Sequence, residues 1–356
     1  MARTSSTFSS NVPWALLVCV AGIAIVESAT SLLQDSLWTR LFAVSEVRED
    51  GPFRFRSRIE RVSPDRPALL LMGSSQVREG ADAGQIEQLL YDAGLGEMQA
   101  VNLGTSAGAF LELYGQLDLA LEKKPAIIVA SPGPHGLYWP YANLDSVAEY
   151  CYSLESAGTM LWKLRSAVRV NALQRFLGIA CLYELLPSSR LVRSYHIHSL
   201  GFRMANDYHP ARPEYYYSKD LAITEMAGVV QGLPRPRFSK LTTAQAGLAG
   251  KAIDKIMDAG TTICFLDYPF NPAAKVIISA WEPSIRESDE ILNSLAKTYR
   301  LHYKKRDSLP AFEPDDFRDA CHLNQRGRSK MSQVIAEFVM QEYRAQEGRD
   351  VQTTRE

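Results

Sequence analysis

Short apolar runs alternate with longer amphipathic stretches along much of this chain. The four clearest runs are mostly apolar and lie at 67–72, 98–103, 126–130 and 261–266. Such runs are typical of strands buried on both faces of a sheet, and a short fifth strand is predicted near 301–303. Because helical stretches separate the runs, parallel pairing with right-handed crossovers is favoured. The pattern therefore predicts an α/β fold with a doubly wound, mostly parallel sheet.

Several of the intervening helices have recognisable beginnings. Asp82, followed three residues later by Gln85, has the pattern of a capping box. The spacing of apolar residues predicts further helices over 110–121 and 284–299. Asn324 can cap a last helix. The apolar face of that helix consists of Met331, Val334, Ile335, Phe338 and Val339.

Between residues 137 and 248 the alternation of strands and helices is lost. Helical spacing recurs over 147–186, and a polar, tyrosine-rich loop follows at 206–217. We interpret 137–248 as an insertion that covers the carboxyl edge of the sheet, because no linker composition brackets it. Its aromatic residues are explained either by a packed lid or by stacking on sugar rings. The domain is expected to span 67–345, followed by a polar, frayed tail over 346–356.

The amino-terminal segment 12–33 is mostly apolar and reaches the length of about 20 residues that a bilayer span requires. A signal anchor, a cleaved signal peptide and a buried helix would all produce such a run. Its terminal position argues against the buried helix, and the lack of a clear small-residue cleavage site argues against the signal peptide. Arg3 precedes the run and Glu27 lies near its end, so the positive-inside rule places the rest of the chain outside the cytoplasm. We interpret 12–33 as a single-pass signal anchor, between a cytoplasmic lead at 1–11 and a juxtamembrane segment at 34–66.

Composition, net charge and cysteine spacing limit the kinds of molecule that this protein is expected to bind. With 46% hydrophobic residues, 22% charged residues and a net charge of −1, the chain is an ordinary globular protein by composition. This charge gives no reason to expect nucleic acid as a partner. The five cysteines lack the spacing of zinc sites, and neither a metal nor a cofactor is expected. A disulfide between Cys151 and Cys181 can form outside the cytoplasm, but spacing alone does not establish it.

A candidate nucleophile follows the first predicted strand, where Gly73, Ser74 and Ser75 end the apolar run. In open α/β folds such a turn carries its side chains at the carboxyl edge of the sheet, where the chemistry takes place. The same three residues are also ordinary turn formers. Asp319 and His322 are spaced so that a carboxylate can hold one imidazole nitrogen while the other faces a serine hydroxyl. We predict Ser75 as the nucleophile, His322 as its base and Asp319 as the group that orients the base.

These residues resemble sequence blocks of the SGNH, or GDSL-type, hydrolases. Residues 73–75 are similar to the first block, with Ser75 at the position of the nucleophile, and Asp319 and His322 are similar to the last block. The resemblance covers roughly 67–336, apart from the insertion. It implies a flavodoxin-like three-layer α/β/α fold and a Ser-His-Asp triad.

The second block of that family is similar to residues 101–108, and in the family a glycine of this block donates its N–H to the oxyanion. Gly104, Ala107 and Gly108 are the candidates for that position in this chain. The resemblance implies backbone oxyanion donors at Ser75, Gly104 and Gly108.

The third block of the family, Gly-x-Asn-Asp, has no counterpart after the third predicted strand. The chain reads Ser-Pro-Gly-Pro-His over 131–135, so the asparagine that would donate to the oxyanion is missing. Ser131 and His135 are the candidates to replace it, and a structural role in the loop is the alternative for His135.

A narrower set within the family is also similar to this chain. Gly-Ser-Ser instead of Gly-Asp-Ser, the amino-terminal anchor and Tyr-Pro-x-Asn-Pro at 268–272 resemble the membrane-anchored SGNH proteins of cell-envelope acylation, of the teichoic acid D-alanylation and alginate acetylation types. The resemblance implies acyl transfer to or from an acylated envelope polysaccharide or lipid-linked polymer, beside a multi-spanning membrane acyltransferase. The alternatives are a free esterase or lipase, and an inactive domain that binds glycan or scaffolds a membrane acyltransferase.

Overall fold

A parallel five-stranded sheet forms the centre of the protein. The computed structural model describes residues 14, 16–29, 55, 58–105, 110–131, 151, 153–166, 168–185 and 239–353. The strands are β1 (Ala68–Gly73), β2 (Gln99–Asn102), β3 (Ile127–Ser131), β4 (Thr262–Leu266) and β5 (Tyr303–Lys304). They lie in the order β2-β1-β3-β4-β5, and every neighbouring pair is parallel. The predicted α/β fold with a parallel sheet is confirmed.

The strand order places a switch point between β1 and β3, from which the chain winds in both directions. Ligands of open α/β sheets bind at such a point, outside the carboxyl ends of the strands. At this edge Gly73, the last residue of β1, lies opposite Ser131, the last residue of β3. Ser75 therefore lies where this architecture places its chemistry.

Eight helices and two short 3₁₀ turns accompany the strands in the described part from residue 68 onward. The helices are α1 (Ser75–Gly80), α2 (Ala83–Asp92), α3 (Phe110–Leu121), α4 (Leu154–Leu164), α5 (Val170–Leu185), α6 (Ser239–Asp258), α7 (Lys275–Tyr299) and α8 (Gln325–Thr353). The 3₁₀ turns cover Arg306–Ser308 and Pro314–Asp316.

Helices cover both faces of the sheet because the side chains of its strands alternate between two hydrophobic cores. Leu70, Met72, Ile128 and Ala130 pack on one face against residues of α3, α4, α5 and α6. Leu69, Leu71, Ile127 and Val129 pack on the other face against residues of α1, α2 and α8. Strands that are apolar on both sides explain why the sequence shows continuous apolar runs rather than alternation.

The predicted helix caps at Asp82 and Asn324 are confirmed, but the capping box at Asp82 is only half formed, because the Gln85 side chain donates to Ser329 and the Asp82 amide donates to Ser332. The Asp82 carboxylate accepts a hydrogen bond from the Gln85 amide at 3.1 Å and begins α2. The Asn324 side chain accepts from the amides of Arg326 and Gly327 at 3.0 and 3.1 Å and begins α8. The five residues of the predicted apolar face of α8 are all buried in the second core. The cap and this packing together place the start of α8 three positions after His322.

Two helices extend further than predicted. The seventh helix begins at Lys275 rather than at 284 and continues through Pro283, which lacks an amide hydrogen for the helix ladder. Packing of its apolar face explains this, since Ile278, Trp281 and Ile285 belong to a third hydrophobic cluster. The eighth helix continues to Thr353, so the predicted frayed tail is helical over most of its length. Helix-favouring Gln, Glu and Arg make up more than half of residues 346–356.

Part of the predicted insertion belongs to the main core. Met160 of α4 and Phe176 of α5 are fully buried in the first core, and α6 runs without a break across residue 248, where the insertion was expected to end. The tyrosine-rich loop at 206–217 lies outside the described residues. Cys151 and Cys181 are free thiols, so the disulfide considered above is not formed.

The amino-terminal region is described in part. Residues 16–29 are helical, and most of their large apolar side chains are exposed, as for Leu16 at 65% and Ile25 at 68%. Within the described residues, none of the helices combines the length and the hydrophobicity needed to cross a membrane. The predicted anchor at 12–33 extends beyond the described residues at both ends. In the following segment, Phe55 and Ile59 are fully buried in the first core.

Candidate active site

Ser75 lies at the sharp turn between β1 and α1. Ser74 caps the helix, because its hydroxyl accepts from the Gln76 amide at 3.3 Å. Ser75 is therefore the first residue of α1. Gly73 makes the turn possible, since a side chain at this position would collide with the carbonyl oxygen of Ser131 and with Val77. The turn that carries the candidate nucleophile therefore requires glycine at position 73.

The structure brings the three predicted catalytic residues together, although Ser75 and His322 are 247 positions apart. The Nε2 atom of His322 lies 2.8 Å from the hydroxyl oxygen of Ser75. Its Nδ1 atom lies 2.7 Å from one carboxylate oxygen of Asp319. The other Asp319 oxygen accepts from the amides of Cys321 and His322 at 2.9 and 2.8 Å. The carboxylate is therefore held within its own turn while it orients the imidazole.

Neighbouring elements fix the loop that carries Asp319 and His322. The side chain of Asn271, which is 1% exposed, donates to the carbonyl of Asp319 at 3.0 Å, and its amide donates to the carbonyl of Ala320 at 2.9 Å. The Gln76 side chain donates to the carbonyl of Cys321 at 3.2 Å. Asn271 follows β4 in the Tyr-Pro-x-Asn-Pro motif, so its position between two prolines was a usable signal.

Charges around the site shift the pKa values of two of its residues. Burial raises the pKa of Asp319, but His322 and the two backbone amides outweigh burial and lower it to about 2. Burial lowers the pKa of His322. A thiolate at Cys321 would raise this pKa, and the ionised carboxylates of Asp319 and Glu79 do raise it, so that the net pKa lies above the ordinary histidine value. Asp319 is consequently ionised at neutral pH, and His322 accepts a proton from a hydroxyl only at a pH where it is itself neutral.

The predicted oxyanion donors differ in whether their backbone amides already have a hydrogen-bond acceptor. Within the described residues the Ser75 amide has no acceptor. The Gly104 amide donates to the side-chain oxygen of Asn102 at 3.0 Å, so it already has an acceptor in this structure, and its role as an oxyanion donor stays a prediction. Glycine is required at 104 for another reason, because a Cβ atom there would collide with the backbone of Arg78. Ala107, Gly108 and His135 lie outside the described residues.

Ser131, the other candidate to replace the missing asparagine, ends β3 beside Gly73. It is 1% exposed, and its hydroxyl has no hydrogen-bond partner among the described residues. A buried hydroxyl without a partner is uncommon. The structure thus places Ser131 next to the turn that carries the nucleophile without assigning it a contact.

A buried group of charges beside the triad has no clear signal in the sequence. Glu79 of α1 is 6% exposed and forms ion pairs with Arg78 at 2.7 Å and with Arg318 at 2.5 Å. Burial raises the pKa of Glu79, but His322 and the two arginines outweigh it, so the net pKa is lowered. Glutamate and arginine on a short helix are usually exposed, which is why the sequence does not single them out.

Asp319, Cys321 and His322 are the described residues whose donor atoms are close enough to share a metal ion, all within 4.8 Å of one another. Metal binding requires a thiolate. Burial raises the pKa of the Cys321 thiol and so favours its neutral form. The imidazole nitrogen nearest the sulfur, at 3.8 Å, is also hydrogen-bonded to Asp319. The geometry fits a hydrogen-bonded triad better than a metal centre.

No protein-family model and no curated protein matches this sequence. Among solved structures, the chain is similar to LAE5, an α/β hydrolase enzyme from the metagenome of Lake Arreo, Spain. The identity is 10% and the TM-score 0.32, over 77% of this chain and 96% of that chain. A similarity of this extent carries no weight for fold or activity. The class of the protein is therefore defined by its own geometry, as an α/β protein with serine, histidine and aspartate in hydrogen-bonded series at the carboxyl edge of its sheet.

Proposed function

We propose that this protein is a serine acyl hydrolase or O-acyltransferase of the SGNH type. The observation that carries the proposal is the hydrogen-bonded series from the Ser75 hydroxyl through His322 to Asp319, at 2.8 and 2.7 Å. A serine hydroxyl has far too high a pKa to react unaided and needs such a base. A buried carboxylate that holds the opposite imidazole nitrogen is the third element of this arrangement.

The proposed reaction is acyl transfer through a covalent serine intermediate. Neutral His322 takes the hydroxyl proton as the oxygen of Ser75 attacks the carbonyl carbon of an ester or thioester. The Ser75 amide donates to the resulting oxyanion. The intermediate then collapses, and His322 returns its proton to the departing alcohol or thiol. In the second half, water or a sugar hydroxyl attacks the acyl-serine and gives its proton to His322. The bond between the acyl carbon and the Ser75 oxygen then breaks, and His322 returns the proton to that oxygen.

The proposed substrate is an acylated envelope polysaccharide or a lipid-linked polymer, with a multi-spanning membrane acyltransferase as partner. The resemblance of the short motifs to envelope acylation proteins supports this. The exposed apolar side chains of helix 16–29 also support it, because a helix that is apolar on all sides is unusual in contact with water. In this proposal the helix is a single-pass anchor, and the catalytic domain lies on the extracytoplasmic side.

Two observations favour a second function, namely an inactive domain that binds glycan or scaffolds a membrane acyltransferase. The Gly104 amide already donates to the side chain of Asn102. The raised pKa of His322 also reduces the fraction of neutral base at neutral pH. A free esterase or lipase differs from the main proposal only in its substrate.

A fluorophosphonate probe distinguishes an enzyme from an inactive domain, because it phosphonylates only an activated serine. The full chain in detergent micelles is treated with the probe beside Ser75→Ala and Ser74→Ala, the second being the matched control in the same turn. We expect labelling of the wild type and of Ser74→Ala, and none of Ser75→Ala. A folded wild type that is not labelled would favour the binding domain. Labelling that persists in Ser75→Ala would move the nucleophile elsewhere.

A further inference from the structure

We infer that Glu79 is a positioning residue, which acts through Arg318 to hold the loop of His322 against the helix that carries Ser75. Glu79 and Ser75 are four positions apart on α1 and so lie on one face of that helix. The inference rests on the proposed function, since it concerns the alignment of base and nucleophile.

Glu79 is tied to the surrounding elements on three sides. One carboxylate oxygen lies 2.7 Å from Arg78 of the same helix, and the other lies 2.5 Å from a guanidinium nitrogen of Arg318. Its backbone carbonyl accepts from the Arg328 side chain of α8 at 2.6 Å. Each carboxylate oxygen is therefore paired with an arginine, the contact to Arg318 being an ion pair rather than a hydrogen bond, and the backbone is held separately by Arg328.

Arg318 connects this carboxylate to the triad. Its Nε atom lies 3.7 Å from the Asp319 oxygen that is bonded to His322, and its amide donates to the carbonyl of His322 at 3.0 Å. The contacts form a closed ring, from Ser75 through His322, Asp319, Arg318 and Glu79 back to α1. A displacement of the loop relative to the helix must break one of these contacts.

The alternative is that the ion pair between Glu79 and Arg318 only stabilises the fold. A buried charge needs a partner wherever it lies, because leaving it unpaired is costly. The two explanations differ in what happens to His322. The groups that face its imidazole are Asp319, Cys321 and Glu79, and the carboxylate of Glu79 favours the protonated imidazole. If Glu79 acts on the triad, removal of its charge changes the titration of His322 as well as the stability of the fold.

The test compares Glu79→Gln with wild type in the full chain, by hydrolysis of p-nitrophenyl acetate as a function of pH. We expect kcat to fall by about 10- to 100-fold with little change in KM, since small misplacements of reacting groups have effects of this size. We also expect the acid limb of the kcat/KM profile to move to lower pH. The matched control is Glu87→Gln, which removes a partly exposed carboxylate, remote from the triad, that is paired with Arg66 at 2.7 Å. A Glu79→Gln enzyme with the kcat and acid limb of this control would overturn the inference.

If Glu79→Gln does not fold, Arg318→Lys tests whether the contact between Glu79 and Arg318 positions the triad. Lysine keeps the positive charge but has no planar fork with which to contact Glu79 and Asp319 together. We expect a loss of kcat without a shift of the acid limb, and an unchanged kcat would refute the inference. Titration of the His322 imidazole by NMR needs no turnover, so it tests the effect of Glu79 on His322 separately from the proposed function. A protein without esterase activity whose His322 titration still moves in Glu79→Gln would refute the proposed function but not the contact between Glu79 and the histidine.

Discussion

Protonation of Asp319 is expected to cost the protein a definite part of its stability in acid. Asp319 is 16% exposed, and its pKa is lowered from 3.8 to about 2. A shift of this size corresponds to about 2 kcal/mol of folding free energy. Since the folded-state pKa is the lower one, this contribution is present above about pH 4 and is lost as the pH falls toward about 2. The same attraction raises the pKa of His322, so the two shifts describe one interaction and are not added.

The assay is urea denaturation of the full chain in detergent, followed by tryptophan fluorescence between about pH 6 and about pH 2.5. Trp281 packs against Ala320 and Cys321, which makes it a reporter for the loop of His322. We expect the difference in unfolding free energy between wild type and Asp319→Asn to shrink by up to about 2 kcal/mol over this range. Asp92→Asn, at an exposed position of α2, is the control for general acid effects. If the unfolding free energies of wild type and Asp319→Asn change in parallel with pH, the low pKa of Asp319 is refuted. The stabilising effect of the hydrogen bonds to its carboxylate is then refuted as well.

Three further results are expected. The acid limb of kcat/KM for p-nitrophenyl acetate should lie above about pH 6.5, because only neutral His322 accepts the serine proton and its pKa is raised. Asn271→Ala should lower kcat and destabilise the fold by about 1–3 kcal/mol, since it leaves the buried carbonyl of Asp319 without its donor. Gly104→Ala should destabilise the fold by about 1–3 kcal/mol in urea denaturation, because the new methyl group meets the backbone of Arg78.

Each of these expectations has its own contradicting result. An acid limb at or below about pH 6.5 would mean that the carboxylates do not act on His322 as described. Asn271→Ala is compared with Asn293→Ala, whose side chain bonds within α7, and equal effects on kcat would remove the specific role of Asn271. Gly104→Ala is compared with Gly84→Ala, where a Cβ atom has room, and equal stabilities would show that the approach to Arg78 is not tight.

The strands could be predicted from the sequence because their physical signal is local. Runs such as 126–130 are apolar on both sides, and a strand under two layers of helices requires this. Asp82 and Asn324 could be recognised as caps because capping depends on amides only two or three positions away. The start of α7 could not be predicted, since the packing of Trp281 against the loop of His322 outweighs the effect of Pro283.

The candidate site shows the same division between local and distant signals. Ser75, Asp319 and His322 could be named because each stands in a short motif, and the turn geometry that the motif requires is local. Glu79 and Arg318 could not be paired in advance, because their contact depends on how α1 and a loop more than 200 positions away meet in space. Gly104 was assigned to the oxyanion by its motif, whereas its amide is taken up by the side chain of Asn102.

Peptide mass spectrometry of the fluorophosphonate-treated full chain tests the central claim most directly, because it locates the reactive atom without a known substrate. We expect one adduct, on the hydroxyl of Ser75, which forms more slowly when His322 is replaced by alanine and when the pH falls below the pKa of His322. The absence of an adduct on a folded protein, or an adduct on another serine, would contradict the claim that Ser75 and His322 form a nucleophile and its base.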